Sequence, residues 1–160
     1  MSTNQTTNAA KANVAKRIFN LIILDESGSM YGLEKMCVDG VNETIQTIKN
    51  ASKANPDQKQ MFSFITFSGR AMGELPIRVK TYLEEITNVD EFPVTAYAPN
   101  GCTPLFDAMG IALTELEKKV TDEDIALVTV ITDGYENASR MYSQRVIQNL
   151  VSRLDERGWV

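Results

Sequence analysis

Asp25, Ser27 and Ser29 stand two residues apart in the segment Asp25-Glu26-Ser27-Gly28-Ser29. In an extended or looping backbone that spacing turns three oxygen-bearing side chains to one side. Gly28 between them lets the chain bend without a side-chain clash. A second carboxylate, Asp133, lies in Thr132-Asp133-Gly134 directly after an apolar run. Carboxylates and hydroxyls are hard donors, and magnesium prefers near-octahedral oxygen ligands at about 2.0 to 2.1 Å while keeping several waters. Two aspartates would neutralise a divalent ion, and neutral hydroxyls would leave it electrophilic toward a further carboxylate. Any one of these residues alone reads more readily as an Asx-turn or a helix cap than as a ligand. The set together does not.

The elements that must position these residues can be read from apolar periodicity. Ile18 to Leu24 is a nearly continuous apolar run that ends abruptly at Asp25, as a buried parallel strand would. Met61 to Phe67 reads as a second strand, Ile77 to Leu83 alternates like a half-exposed edge strand, and Ile125 to Ile131 is another near-continuous run. Val38, Val41, Ile45 and Ile48 recur at helical spacing before the stop signal Asn55-Pro56-Asp57. Thr103-Pro104 opens a helix with Leu105, Ala108, Met109, Ala112, Leu113 and Leu116 on one face. A last helix carries Val146, Ile147, Leu150, Val151 and Leu154, with Gly158 where a C-terminal cap belongs. Strands alternating with helices predict an α/β fold, a doubly wound, mainly parallel Rossmann-like sheet with helices on both faces. In such sheets ligands bind beyond the carboxyl ends of the strands, where Asp25 and Asp133 both lie.

Composition narrows the chemistry. The 160 residues are enough for one domain with a sizeable core, and they contain no histidine and two cysteines, Cys37 and Cys102. That excludes Ser-His-Asp and Cys-His hydrolases, His-ligated metals, a disulfide framework and a four-thiolate zinc site. A net charge of -5 argues against nucleic acid as a partner. Residues 1–16 are polar, without a signal-peptide core or membrane span, and are expected to form a disordered tail ahead of one domain over 17–160. The expected location is the cytoplasm, with no membrane partner.

Three motifs in order, Asp25-Glu26-Ser27-Gly28-Ser29, Gly101-Cys102-Thr103-Pro104-Leu105 and Thr132-Asp133-Gly134, resemble the metal-ion-dependent adhesion site of von Willebrand factor A domains. The resemblance runs from about Arg17 to the end. It implies that Ser27, Ser29 and Thr103 touch a metal directly, with Asp25 and Asp133 contacting it directly or through water. The implied ion is Mg2+, with Mn2+ or Ca2+ as alternatives. Thr103 also has a competing reading as the N-cap of the following helix. Gly134 to Ser139 (G-Y-E-N-A-S) is similar to stand-alone bacterial members of the family, including those associated with tellurite resistance. Met30, Tyr31, Gly101, Cys102 and Tyr135 are candidates for a rim that a partner would touch. Met30, Met36, Met109 and Met141 also read as core filler, and Glu26, Asp107 and Glu136 as solvated surface adding negative charge.

Domains of this family usually carry two more strand and helix pairs. This chain stops at Trp159-Val160, where the next strand would start, so a C-terminally truncated domain is expected. With a strand order of 3-2-1-4, strand 3 antiparallel at one edge, the run Ile125 to Ile131 would be the other edge although it reads as central. Self-association through that edge is then a possibility. The leading expectation is a non-enzymatic, cation-dependent module that binds a protein partner presenting an Asp or Glu. Alternatives are a magnesium-dependent phosphatase of the haloacid dehalogenase type, which would want an aspartate where Ser27 stands, and a metal-free structural scaffold.

Overall fold

A computed structural model describes residues 16–69 and 71–160. Of the tail expected over residues 1–16, all but Lys16 lies outside the described residues. The elements run β1 (Arg17–Asp25), α1 (Glu34–Ala54), β2 (Lys59–Phe67), β3 (Ile77–Glu85), α2 (Leu105–Glu117), β4 (Ile125–Ile131) and α3 (Gln144–Glu156). Short 3-10 turns follow β1 and β3, and a third lies within the loop leading to α2.

The four strands form one mixed sheet in the order β3-β2-β1-β4, with β1 parallel to both neighbours and β3 antiparallel to β2. β1 is apolar on both faces because both faces are covered. Phe19, Leu21 and Ile23 join the core with Ala108, Leu113 and Leu116 of α2 and Ile147, Leu150 and Leu154 of α3. Ile22 and Leu24, on the opposite face, pack with Val38, Val41, Ile45 and Ile48 of α1. The two-residue period of the strand thus sorts one continuous apolar run into two cores. β2 does the same, sending Ile65 and Phe67 to the first and Phe62 and Phe64 to the second.

The strand order is the expected 3-2-1-4, so β4 takes an edge position although its apolar run reads as central. It stands at the edge of the sheet, and its burial is partial, with Leu127 37% exposed and only Ala126 fully buried. A strand in a parallel sheet needs apolar residues on whichever face a helix covers, and α3 covers one face of β4. Lateral position leaves no comparable mark on the sequence. The exposed edge is met by Val160, whose N–H donates to Ala126 O (3.0 Å) while its carbonyl accepts from Val128 N (2.7 Å). This is the pairing of a parallel bridge around Leu127. Gly158, at φ 84°, turns the chain out of α3, and Trp159 is buried in the core beneath α3. Among the described residues no helix is long and apolar enough to cross a membrane.

Candidate metal centre

The first motif is shaped by the sheet it leaves. Glu26 N still donates to Phe67 O (2.8 Å), and the chain then turns through Gly28–Met30. Asp25 is fully buried at the end of β1, where its Oδ1 accepts from Ser27 N (2.8 Å) and its Oδ2 from the Thr132 hydroxyl (2.7 Å). The Ser27 and Ser29 hydroxyl oxygens lie 3.2 Å apart. Ser29 Oγ donates to Asp133 Oδ1 at 2.9 Å, across 104 residues of sequence.

The second motif enters from the loop before α2. Asn100 N donates to Glu26 O (2.8 Å), and Gly28 N to the carbonyl of Gly101 (2.9 Å). Gly101 itself has φ 87°, a conformation costly for residues with a Cβ. Cys102 exchanges two backbone hydrogen bonds with Gly69 (3.0 Å each), and Thr103 is clasped by Asn137 through Thr103 N to Oδ1 (2.9 Å) and Asn137 N to Thr103 O (3.1 Å). α2 starts at Leu105 with Pro104 as its cap and no side-chain cap bond, so the Thr103 hydroxyl does not serve as an N-cap. Thr103 is 4% exposed, and its hydroxyl makes no hydrogen bond among the described residues.

Gly134 gives the clearest measure of convergence. A Cβ at this position would lie 3.4 Å from both Ser29 Oγ and Thr103 Oγ1, and 3.7 Å from Asp25 Oδ2. The structure therefore brings Asp25, Ser27, Ser29, Thr103 and Asp133 to one end of the sheet, around space kept open by a missing side chain. The donors are all oxygen, two carboxylates and three hydroxyls. Among the described residues no three His, Cys, Asp or Glu side chains gather into a metal-binding group. The donor set suits a hard cation that keeps part of its hydration and does not suit a soft one.

Of the rim candidates, Tyr31 (80%) and Tyr135 (92%) are exposed, as are Gly101 and Cys102. Met30 follows its reading as core filler and corrects its place in the rim. It is 2% exposed and packs in the core with α1, because the turn that exposes Ser29 rotates the next side chain inward. Met36 and Met141 are corrected in the other direction, since both are exposed. Met109 is partly buried against the core, as expected.

The nearby acids are not solvated surface. Glu26 is 2% exposed, accepts from Thr66 Oγ1 (2.7 Å) and Ala98 N (2.9 Å), and lies 3.5 Å from Arg78. Asp107 is 5% exposed, and its carboxylate accepts from the backbone N–H groups of Arg140, Met141 and Tyr142, each at 2.8 Å. Glu136 accepts from Phe106 N, Ala138 N and both donors of Ser139. Burial opposes ionisation of Glu136, but these hydrogen bonds outweigh it and hold the carboxyl below its ordinary range. Asp107 and Glu136 together staple the loop after β4 to the start of α2. Each finds partners about 30 residues away, which a local reading does not reveal.

Further supports lack an assigned role in the sequence reading. Thr132 orients Asp25, and Asn137 positions Thr103. Tyr97 is buried, and its hydroxyl donates to Asp25 O (2.5 Å), with burial pushing the phenol above its ordinary range. Thr132 and Asn137 lie within motifs singled out for other positions, whereas Tyr97 carries no local signal.

No family model matches the sequence, and no curated protein matches it. Among solved structures the fold is similar to the pilus adhesin SpaC from Lactobacillus rhamnosus GG in its open conformation, with a TM-score of 0.61 and 20% identity over 76% of this chain. A second crystal structure of that adhesin gives a TM-score of 0.61 and 19% identity over the same share. Proximal thread matrix protein 1 from the mussel byssus is similar at a TM-score of 0.57 and 16% identity over 92% of this chain. The chain spans 15 to 16% of the length of the adhesin and 35% of that of the byssus protein. At these identities the likeness establishes a shared fold.

Proposed function

We propose that this chain is a von Willebrand factor A-type domain, a Rossmann-like doubly wound sheet, that binds Mg2+ and through it an Asp or Glu of a protein partner. The single observation that carries the reading is the convergence of Asp25, Ser27, Ser29, Thr103 and Asp133 around the open space at Gly134. Ser27, Ser29 and Thr103 would supply neutral oxygens, and Asp25 and Asp133 the compensating charge. Each Asp25 oxygen accepts one hydrogen bond and retains a lone pair for the ion or its water. A bound magnesium would supply a Lewis-acidic position for a carboxylate from outside.

The same contacts favour binding over phosphoryl transfer. Both Asp25 oxygens are held by Ser27 N and the Thr132 hydroxyl, which suits a fixed ligand better than an attacking nucleophile. Two residues further on, where a phosphatase would place an acid, stands Ser27. The test is calorimetric titration with magnesium. The parent should bind, Asp25→Ala should lose most of the affinity, and Ser27→Ala should lose less because water can replace a neutral hydroxyl. Unchanged affinity in Asp25→Ala would place any ion elsewhere. A pull-down from native lysate with magnesium against chelator then asks for the partner.

A further inference from the structure

Beside the candidate centre lies a groove of about 540 Å³ that the proposed function does not use. It is lined by residues 69 and 71–76 between β2 and β3, by Cys102 and Pro104, and by Ala138, Arg140 and Met141 of the loop before α3. Its surface is mainly apolar, and three of its side chains are unusually exposed for their type: Met72 (92%), Leu75 (65%) and Met141 (61%). Long apolar side chains gathered around a concavity in water mark a surface that another molecule covers, and methionines adapt to irregular apolar partners.

The groove and the centre share a wall one residue thick. Cys102 and Pro104 line the groove, while Thr103 between them faces Gly134 and the site oxygens. Successive Cα atoms are about 3.8 Å apart, so one extended peptide, advancing about 3.3 Å per residue, reaches both features within three positions. Charge adds a direction. Arg140 lines the groove, is exposed, and its side chain makes no hydrogen bond or ion pair among the described residues. The carboxylate of Asp107, also in the lining, is 5% exposed and accepts three backbone hydrogen bonds, and it forms no ion pair with Arg140 among the described residues. Glu74, on the connection between β2 and β3, disfavours an acid on that side.

We infer that the partner segment is an acidic peptide in which an apolar side chain, within three residues of the metal-seeking Asp or Glu, fills the groove lined by Met72, Leu75 and Met141, while a second carboxylate pairs with Arg140. This rests on the metal-binding reading and specifies its partner. The apolar contact supplies affinity through burial. Arg140 supplies orientation and a salt-sensitive increment.

The test uses the full chain and a synthetic peptide library with one fixed Asp and randomised flanking positions, selected for retention in magnesium and release by chelator. Leu, Met, Ile or Phe should be enriched within three residues of the fixed Asp, together with a second acid. For a selected peptide, Leu75→Ser with Met141→Ser should weaken binding by about tenfold to a hundredfold and leave the calorimetric magnesium affinity of the free chain unchanged. Arg140→Glu should weaken binding by about fivefold, and the loss should shrink in high salt. Magnesium binding with no apolar enrichment, or with peptide affinity indifferent to the double variant, overturns the groove assignment alone. Absence of magnesium binding in the first titration overturns the metal reading, and with it the groove as a companion site.

Discussion

Asp107 offers the sharpest test of how the site is held, because its three acceptor bonds can be removed by degrees. Asp107 Oδ1 accepts from Met141 N and Tyr142 N, and Oδ2 from Arg140 N, all at 2.8 Å and in a residue 5% exposed. A hydrogen bond to a charged group contributes about 1.5 to 3 kcal/mol net, and bonds sharing one acceptor group are not additive. Asp107→Ala removes all three, but Arg140 and Met141 are exposed and water can reach part of the vacated space. The expected loss is about 3 to 5 kcal/mol, a large share of the roughly 5 to 15 kcal/mol that holds a domain folded. Asp107→Asn keeps one oxygen for Met141 and Tyr142 but turns an NH2 toward Arg140 N, for a loss of about 1 to 3 kcal/mol. Urea denaturation gives the totals, and native-state hydrogen exchange locates them. The amide of Arg140 should lose protection in Asp107→Asn, and all three amides in Asp107→Ala. Magnesium affinity should fall in Asp107→Ala although Asp107 is not among the five convergent residues, because Asn137, which clasps Thr103, lies on the same loop. If Asp107→Ala stays within about 1 kcal/mol of the parent and residues 140–142 exchange as before, the carboxylate does not anchor this loop.

Gly134→Ala should leave stability within about 1 kcal/mol, since its Cβ would make ordinary contacts no closer than 3.4 Å. It should lower magnesium affinity by about tenfold, because the methyl fills the space that the site oxygens face; equal calorimetric affinity would refute this. Gly110→Ala should destabilise by about 1 to 3 kcal/mol or more, because the new Cβ would lie 2.5 Å from the Tyr142 ring; a thermal melt matching the parent would contradict the stacking. Stability should also fall in acid. Burial opposes ionisation of Asp124, but hydrogen bonds from Arg17 and Thr121 hold its carboxyl below the ordinary value of 3.8. A carboxyl depressed in the folded state contributes stability that is present above its unfolded value and lost as pH falls through the folded one. The stability gap between the parent and Asp124→Asn should therefore narrow from pH 7 to pH 3, and a constant gap would refute the assignment.

Periodicity along the chain was enough to locate α1 by Val38, Val41, Ile45 and Ile48, and to bound β4 at Ile125 and Ile131, because each pattern reports which faces are covered. The lateral place of β4 was not legible in its own apolar run, which marks covered faces whether or not a strand has two neighbours, and it followed only from the expected order 3-2-1-4. The five convergent residues were legible as a group because they sit at strand ends and a helix start, where an α/β sheet places ligands. Their supports were largely hidden. Glu26 and Asp107 look like surface acids until the fold delivers Thr66 and Ala98 to one and residues 140–142 to the other. Met36 and Met141 look like core because methionine usually is, and only the orientation of α1 and of the loop before α3 exposes them.

The run from Asn100 to Thr103 changes partner at every step: Asn100 bonds Glu26, Gly101 bonds Gly28, Cys102 bonds Gly69 and Thr103 bonds Asn137. Three loops far apart in the chain are thus keyed to one short stretch, the first through Asn100 and Gly101 and the other two through Cys102 and Thr103. Such a stretch behaves like a reading frame. Inserting or deleting one residue within it would hand every partner to its neighbour, remove the glycine from the position that needs φ 87°, and carry the hydroxyl of Thr103 away from Gly134. Length changes should therefore be far less tolerated across residues 100–103 than in the nearby turn at Gly73, whose Cβ position has nothing within 4 Å.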